Sequence, residues 1–409
     1  MLATLRSANS QLILLAWAQG FQALAGVLLT LALAFYGAAN SDAMGLGLSL
    51  AARTLPTLLV ALIGGAAADR WNRTKIAAGS VALGAIANAG LAIVIPLSGL
   101  DWKAQSLSLI AGFASAIGAP SLYALLPSIV GNDELVKGNA VVRTFRNTAS
   151  ALGPGLGAAV ASLASFQFVL WAIVVCNALA CVLLSQIKVA SRAVKPTSFR
   201  RELAGLGSVL SENRWLLFAV PFWGLFLAIQ SGAADVTQPL HVMDRHGTGV
   251  WSIMLTAMTI GYITGSLIAI KMKPRRLFTW SVVFGAFSIS QLLASAHSGS
   301  TLVLICTSFV TGLGFEISGV LWGAALQSRV PEEHMGRAAS FDYAISFGLT
   351  PIAYAAFGFF PIADAIPVLT LSAAVLGGLT VAGVFIGLIL DAAYPRSGCF
   401  SLTLWAIDK

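Results

Sequence analysis

Long apolar runs, each close to the length of a membrane-crossing helix and parted by short polar turns, dominate the chain. A helix rises 1.5 Å per residue, so about 20 apolar residues are needed to cross a hydrocarbon core. Runs of that length predict twelve helices, near residues 10–37, 44–68, 75–97, 104–130, 138–163, 166–187, 214–239, 249–271, 277–296, 300–327, 337–360 and 366–391. The longest polar interruption, 188–213, holds Lys188, Arg192, Lys195, Arg200 and Arg201 and separates six runs from six. It predicts an N-terminal six-helix bundle over 1–187, a cytoplasmic linker over 188–213, a C-terminal six-helix bundle over 214–391 and a tail over 392–409. Within the linker, residues from about 198 to 210 form an amphipathic stretch suited to lie on a membrane surface.

An internal repeat supports the division. Leu126, Ser128, Val130 and Asp133 recur 200 positions later as Leu326, Ser328, Val330 and Glu333. At the same offset Gly65 meets Gly265, and the basic turn after the second run meets Lys271, Lys273, Arg275 and Arg276 after the eighth. A shared offset points to duplication, so the fold class expected is an all-α polytopic membrane protein built of two pseudo-symmetric bundles.

Composition agrees. Of 409 residues 57% are hydrophobic and 10% charged, against about 25% charged in soluble chains. The net charge of +8 would suit nucleic acid in a soluble protein, but here the cations gather in alternate loops without interleaved aromatics. With the N-terminus placed inside, Arg6, the Arg70 to Lys75 cluster, Lys137, the linker cations, Lys271 to Arg276, Arg329, Arg337 and Arg396 fall on the inner side, and the outer loops hold only Lys103 and Arg245. The positive-inside rule then puts both termini in the cytoplasm of a multi-pass cytoplasmic (inner) membrane protein, with no nucleic-acid partner. The first run, Leu12 to Tyr36, exceeds a cleaved signal region of about 7–15 residues and is a retained helix. Cys176, Cys181, Cys306 and Cys399 contain no CxxC pair, so neither a disulfide nor a metal site is expected. A phosphate-binding GxxxxGK[ST] loop is absent, as are HExxH and GxSxG; His241, His246, His297 and His334 all fall in predicted loops. The chain is not expected to be an enzyme or to hold a cofactor.

The stretch Leu55 to Lys75 ends an apolar run, with Pro56 inside it, in Gly64, Gly65, Ala66, Ala67, Ala68, Asp69, Arg70, Arg73 and Lys75. Small residues allow a neighbouring backbone to approach, and an acid at a helix end can meet a helix N-terminus or a cation. The series resembles the signature loop of the major facilitator superfamily, with Gly65, Asp69, Arg70 and Arg73 on the pattern. Asn72 stands where that family has Gly, and Thr74 where it has Lys or Arg. A second stretch, Gly153, Pro154, Gly155 and Gly157, is similar to the antiporter motif of proton-coupled exporters in that family, with Ala158 in place of the last Gly. Plain helix packing is the alternative reading of these glycines. The segments APSLYALLPSIVGNDELVKGNAV and QSRVPEEHMGRAAS extend the likeness to the branch of macrolide-efflux and enterobactin-type siderophore exporters.

The resemblance implies the major facilitator fold. It also implies alternating-access, proton-driven efflux of drug-like or siderophore-like organic molecules by a functional monomer in the lipid bilayer, with the proton gradient as energy source. It further implies a latch in which Asp69 pairs with Arg337 at the start of the eleventh helix, a contact that at a surface would be of little value. The alternatives are an importer of a small solute on the same fold, and a non-transporting membrane sensor or partner subunit.

Charges inside spans are costly and mark pathways or pairs. Glu316, amid Gly312, Gly314 and Gly319, is the first proton-coupling candidate, with Asp235 a second, nearer a rim or gate. Arg53 has two readings: contact with an anionic substrate, or neutralisation of Asp235 or Glu316. Arg143 and Arg146 snorkel to the interface or form an inner gate with Asp342. Gln19, Gln22, Arg53, Asn88, Asn177, Trp223, Gln230 and Tyr262 are the candidate lining of a central cavity, with Phe226, Thr256 and Thr259 nearby; interhelical packing is the alternative for the polar ones.

Overall fold

In hydrocarbon a segment must close its backbone hydrogen bonds within itself, and a helix does so. The computed structural model describes residues 10–63, 73–130, 135–163, 165–187, 207, 210–272 and 274–393, and no strand occurs among them. The helices before residue 188 are α1 (Ser10–Ala39), α2 (Ala43–Ile63), α3 (Arg73–Ser98), α4 (Trp102–Val130), α5 (Leu135–Leu163) and α6 (Phe166–Ser185). After it come α7 (Leu216–Gly232), a π-helical segment (Ala233–Thr237), α8 (Gln238–His246), α9 (Thr248–Lys271), α10 (Leu277–Gly285) and α11 (Ser288–His297). The chain continues through α12 (Thr301–Arg329), α13 (Glu332–Gly348), α14 (Thr350–Gly358) and α15 (Ala365–Ala393). Among the described residues eight stretches are long and apolar enough to cross a membrane, including Ser10–Ala39, Leu216–His246, Thr301–Arg329 and Ile362–Ala393. The chain is therefore membrane-embedded.

Short turns reverse the chain, so helices alternate in direction between a near face, where α1 begins, and a far face, where it ends. The far-face turns are locally specified. Ser41 adopts φ +53°, Gly99 φ +80° and Gly247 φ +84°. Asp42 Oδ1 accepts from the Gly45 N–H at 2.8 Å and so caps α2. Asp101 Oδ1 accepts from the Lys103 and Ala104 N–H groups at 2.9 and 3.2 Å and caps α4.

Three spans differ from expectation. The seventh, expected to end at 239, runs to His246, because Gln238 to Met243 are buried rather than looped out. Gln238 donates to Ser295 Oγ at 2.6 Å there, while Val242 and Met243 pack on Leu31 and Phe35 of α1. The ninth is interrupted at Ala286 and Phe287. The eleventh starts at Glu332, earlier than expected, and breaks at Leu349 ahead of Pro351, which has no N–H to bond the Phe347 carbonyl four residues back. None of the four histidines is in a loop: His241 and His246 lie on α8, His297 on α11 and His334 on α13. The expected surface helix at about 198–210 falls almost wholly outside the described residues, and the tail from 394 onward lies outside them entirely.

The cores decide where the bundle is closed. At the far face two apolar clusters mix helices that precede residue 188 with helices that follow residue 213. One joins Leu33, Leu46 and Leu50 to Val236, Leu240 and Tyr354. The other joins Leu31, Ala34 and Phe35 to Val242, Met243, Trp251 and Met254. At the near face the clusters do not mix: Leu12, Leu15, Val81 and Leu184 pack with one another, and Ala269, Leu277, Leu321 and Ala325 with one another. Gly47 permits the far-face closure, since a Cβ there would lie 2.4 Å from the Tyr354 carbonyl oxygen and 2.9 Å from Gly358 Cα.

Candidate functional site

With the far face sealed, space remains in the middle of the bundle and toward the near face. A cavity of about 780 Å³ is lined by Gln19, Gln22, Arg53, Asn88, Arg146 and Asn177 from the first six helices, and by Ala339, Ser340 and Tyr343 from α13. Five of the predicted lining residues are thus brought together. Trp223 is not among them: it is 4% exposed, edge-on to Phe222 and Phe226 in an aromatic core with Trp322. Phe226 is buried in the same core, and Gln230 and Tyr262 also lie outside the cavity lining. Their periodicity resembles that of cavity residues, but packing within the second set of helices takes them elsewhere.

Arg53 is the strongest polar feature of the cavity. Its position follows from a close helix crossing, since a Cβ at Gly112 of α4 would come within 2.2 Å of the Arg53 carbonyl oxygen. The guanidinium reaches α1, donating to Thr30 Oγ1 at 2.8 Å and to the Gly26 carbonyl at 3.4 Å. Both acceptors are uncharged. The expected neutralisation by Asp235 or Glu316 does not occur, because each acid is held by a different neighbour. Asp235, on the π segment, accepts from the Tyr354 hydroxyl at 2.7 Å. Glu316 accepts from Ser266 Oγ at 2.8 Å across the α9–α12 crossing, which Gly261, Gly265 and Gly312 make close. Tyr262 of α9 lies within electrostatic range of both acids.

Asp342 on α13 accepts from Trp322 Nε1 at 3.1 Å and from Ser346 Oγ at 3.0 Å. Arg143 is exposed on α5, whereas Arg146, one turn on, lines the cavity. The glycines of the fifth span pack helices: a Cβ at Gly153 would lie 2.9 Å from Val27 Cγ1, and at Gly157 2.6 Å from Leu31 Cδ2, both on α1. Gly155 is exposed and faces Thr256 of α9, while Pro154 is buried between them. In the expected latch, Gly65, Asp69 and Arg70 lie outside the described residues, as does the side chain of Arg73; Arg337 is exposed on α13.

One near-face cluster was not anticipated. Asp391, at the end of α15, forms an ion pair with Arg329 at the end of α12. It also accepts from the Phe278 and Thr279 N–H groups at 3.3 and 2.9 Å and from Thr279 Oγ1 at 2.7 Å, so it caps α10. The Arg329 guanidinium lies 5.3 Å from the centre of the Trp215 ring. The available signal was an acid and a base in the last turns of two apolar runs. Tyr354 was likewise missed, although a phenol in an apolar helix needs a partner.

Residues 15–350 match the family model described as Major Facilitator Superfamily. The chain is 22% identical over 347 residues to the multidrug efflux pump Tap of Mycolicibacterium fortuitum, covering 80% of this chain and 82% of that one. It is 24% identical over 351 residues to macrolide efflux protein A of Streptococcus pyogenes, covering 82% and 86%. Among solved structures the nucleoside transporter NupG superposes with a TM-score of 0.73 at 15% identity, covering 93% of this chain and 100% of that one.

Proposed function

The chain belongs to the major facilitator superfamily, and on that premise we propose that this membrane transporter is a proton-driven exporter of organic molecules working by alternating access. The observation that carries the reading is the cavity itself: about 780 Å³, sealed by mixed clusters at the far face and reaching toward the near face. In the proposed arrangement, bundles 1–187 and 214–391, joined by the linker, rock about that cavity. The equal 29-residue lengths of α4 and α12 support the duplication. Both termini are cytoplasmic and the membrane is the cytoplasmic one, so the conformation is open inward. Glu316 and Asp235 are the proton carriers, being the acids held in mid-span by single hydroxyl donors. Efflux as the direction rests on the relatives named as efflux proteins.

The test is transport in everted membrane vesicles with a panel of fluorescent organic probes. Export gives uptake into the vesicles that follows an imposed pH gradient and collapses with a protonophore. Uptake by right-side-out vesicles alone would instead identify an importer, and movement in neither preparation a non-transporting protein.

A further inference from the structure

We propose that the cavity selects organic anions, with Arg53 as the anion-binding residue. The inference deepens the transport reading and rests on it.

Charge is the first support. Among the described lining residues there is no carboxylate, whereas Arg53 and Arg146 each carry a guanidinium. Arg53 makes no ion pair among the described residues; its partners are a hydroxyl and a carbonyl on α1. A cation in mid-span without a counter-anion is costly, and neither uncharged acceptor cancels the charge. Asp235 is engaged by Tyr354. A cleft of one sign with low-dielectric walls concentrates ligands of the opposite sign, and a guanidinium presents paired donors to carboxylate, sulfonate or phosphate oxygens.

Volume is the second support: about 780 Å³ suits a drug-sized molecule.

A near-isosteric pair of xanthene dyes tests the sign: carboxyfluorescein, an anion with a phenolic hydroxyl, and rhodamine 123, a cation. Binding to the full-length protein in detergent is read by fluorescence anisotropy, and transport by the reconstituted protein under an imposed pH gradient. Carboxyfluorescein is expected to bind at least ~10-fold more tightly than rhodamine 123. Arg53→Gln should weaken carboxyfluorescein binding by roughly tenfold or more, with partial recovery in Arg53→Lys. The wild-type dye comparison stands even if a variant fails to fold. Preference for rhodamine 123, absence of carboxyfluorescein binding, or binding unaffected by Arg53→Gln would overturn the proposal. Movement of rhodamine 123 alone leaves the transport reading intact and removes this one. Binding of the anion without gradient-driven movement of either dye overturns the transport reading and supports the charge selection.

Discussion

The Tyr354 phenol donates a 2.7 Å hydrogen bond to Asp235 Oδ2, tying α14 to the π-helical segment that interrupts the long helix from Leu216 to His246. Single π turns within α-helices recur at functional sites. This one places an acid beside a tyrosine that shares an apolar cluster with Leu46 and Leu50 of α2. Asp235→Asn keeps an acceptor for the phenol but cannot release a proton. Expression and thermal stability should be unchanged while net pH-driven transport is lost. Tyr354→Phe, by contrast, leaves the carboxylate without that donor and should lower stability by about 1–3 kcal/mol. Detergent melting curves beside proteoliposome flux separate the two effects.

Glu316 gives a parallel case within a single helix pair. Its Oε1 accepts from Ser266, a bond that Gln can also accept. Glu316→Gln should therefore fold normally and abolish gradient-driven transport, yet retain substrate counterflow, which moves no net proton. Full gradient-driven flux in this variant would remove Glu316 from the coupling step.

Far-face closure depends on the contact between Gly47 and the Tyr354 carbonyl. Gly47→Ala should bias the protein away from the closed far face. The measure is maleimide labelling of a cysteine placed at Leu240, which is 1% exposed between the mixed helices, in a chain whose four native cysteines are replaced. Labelling should rise several-fold over the same cysteine with Gly47 retained; equal labelling would show that the contact does not govern closure.

At the near face, removing one member of a buried ion pair strands the other. Arg329→Met should destabilise the second set of helices by about 3 kcal/mol, since Asp391 keeps its bonds to Phe278 and Thr279 but loses its cation. Combining it with Asp391→Asn, which removes the stranded charge, should restore more than half of that loss on the melting curve.

Spans and candidate site were unequally legible. Gln19, Gln22, Arg53, Asn88 and Asn177 were found by polarity in apolar runs, and all line the cavity. Trp223, Gln230 and Tyr262 satisfied the same rule and do not. A polar or aromatic residue in a span announces that it has a partner, but not on which side of the helix. The stretch from Leu240 to His246 reads as a loop by hydropathy and is a helix, buried as far as Met243, because Gln238 just before it finds Ser295, 57 residues away in sequence.

By itself the sequence determined that this chain lives in a membrane, that helices form it, and where most of them begin and end. Those are consequences of local apolar length and of backbone groups that must bond within their own segment. Only the tertiary structure decided which charges meet. Arg53 could have faced either acid, and helix rotation and crossing gave it Thr30 and Gly26 instead. Side-chain pairing across helices depends on rotations and offsets of a few ångströms, set by contacts such as Gly112 against Arg53 and Gly47 against Tyr354. No single run of residues encodes those contacts, because each needs two distant segments to be packed before it exists.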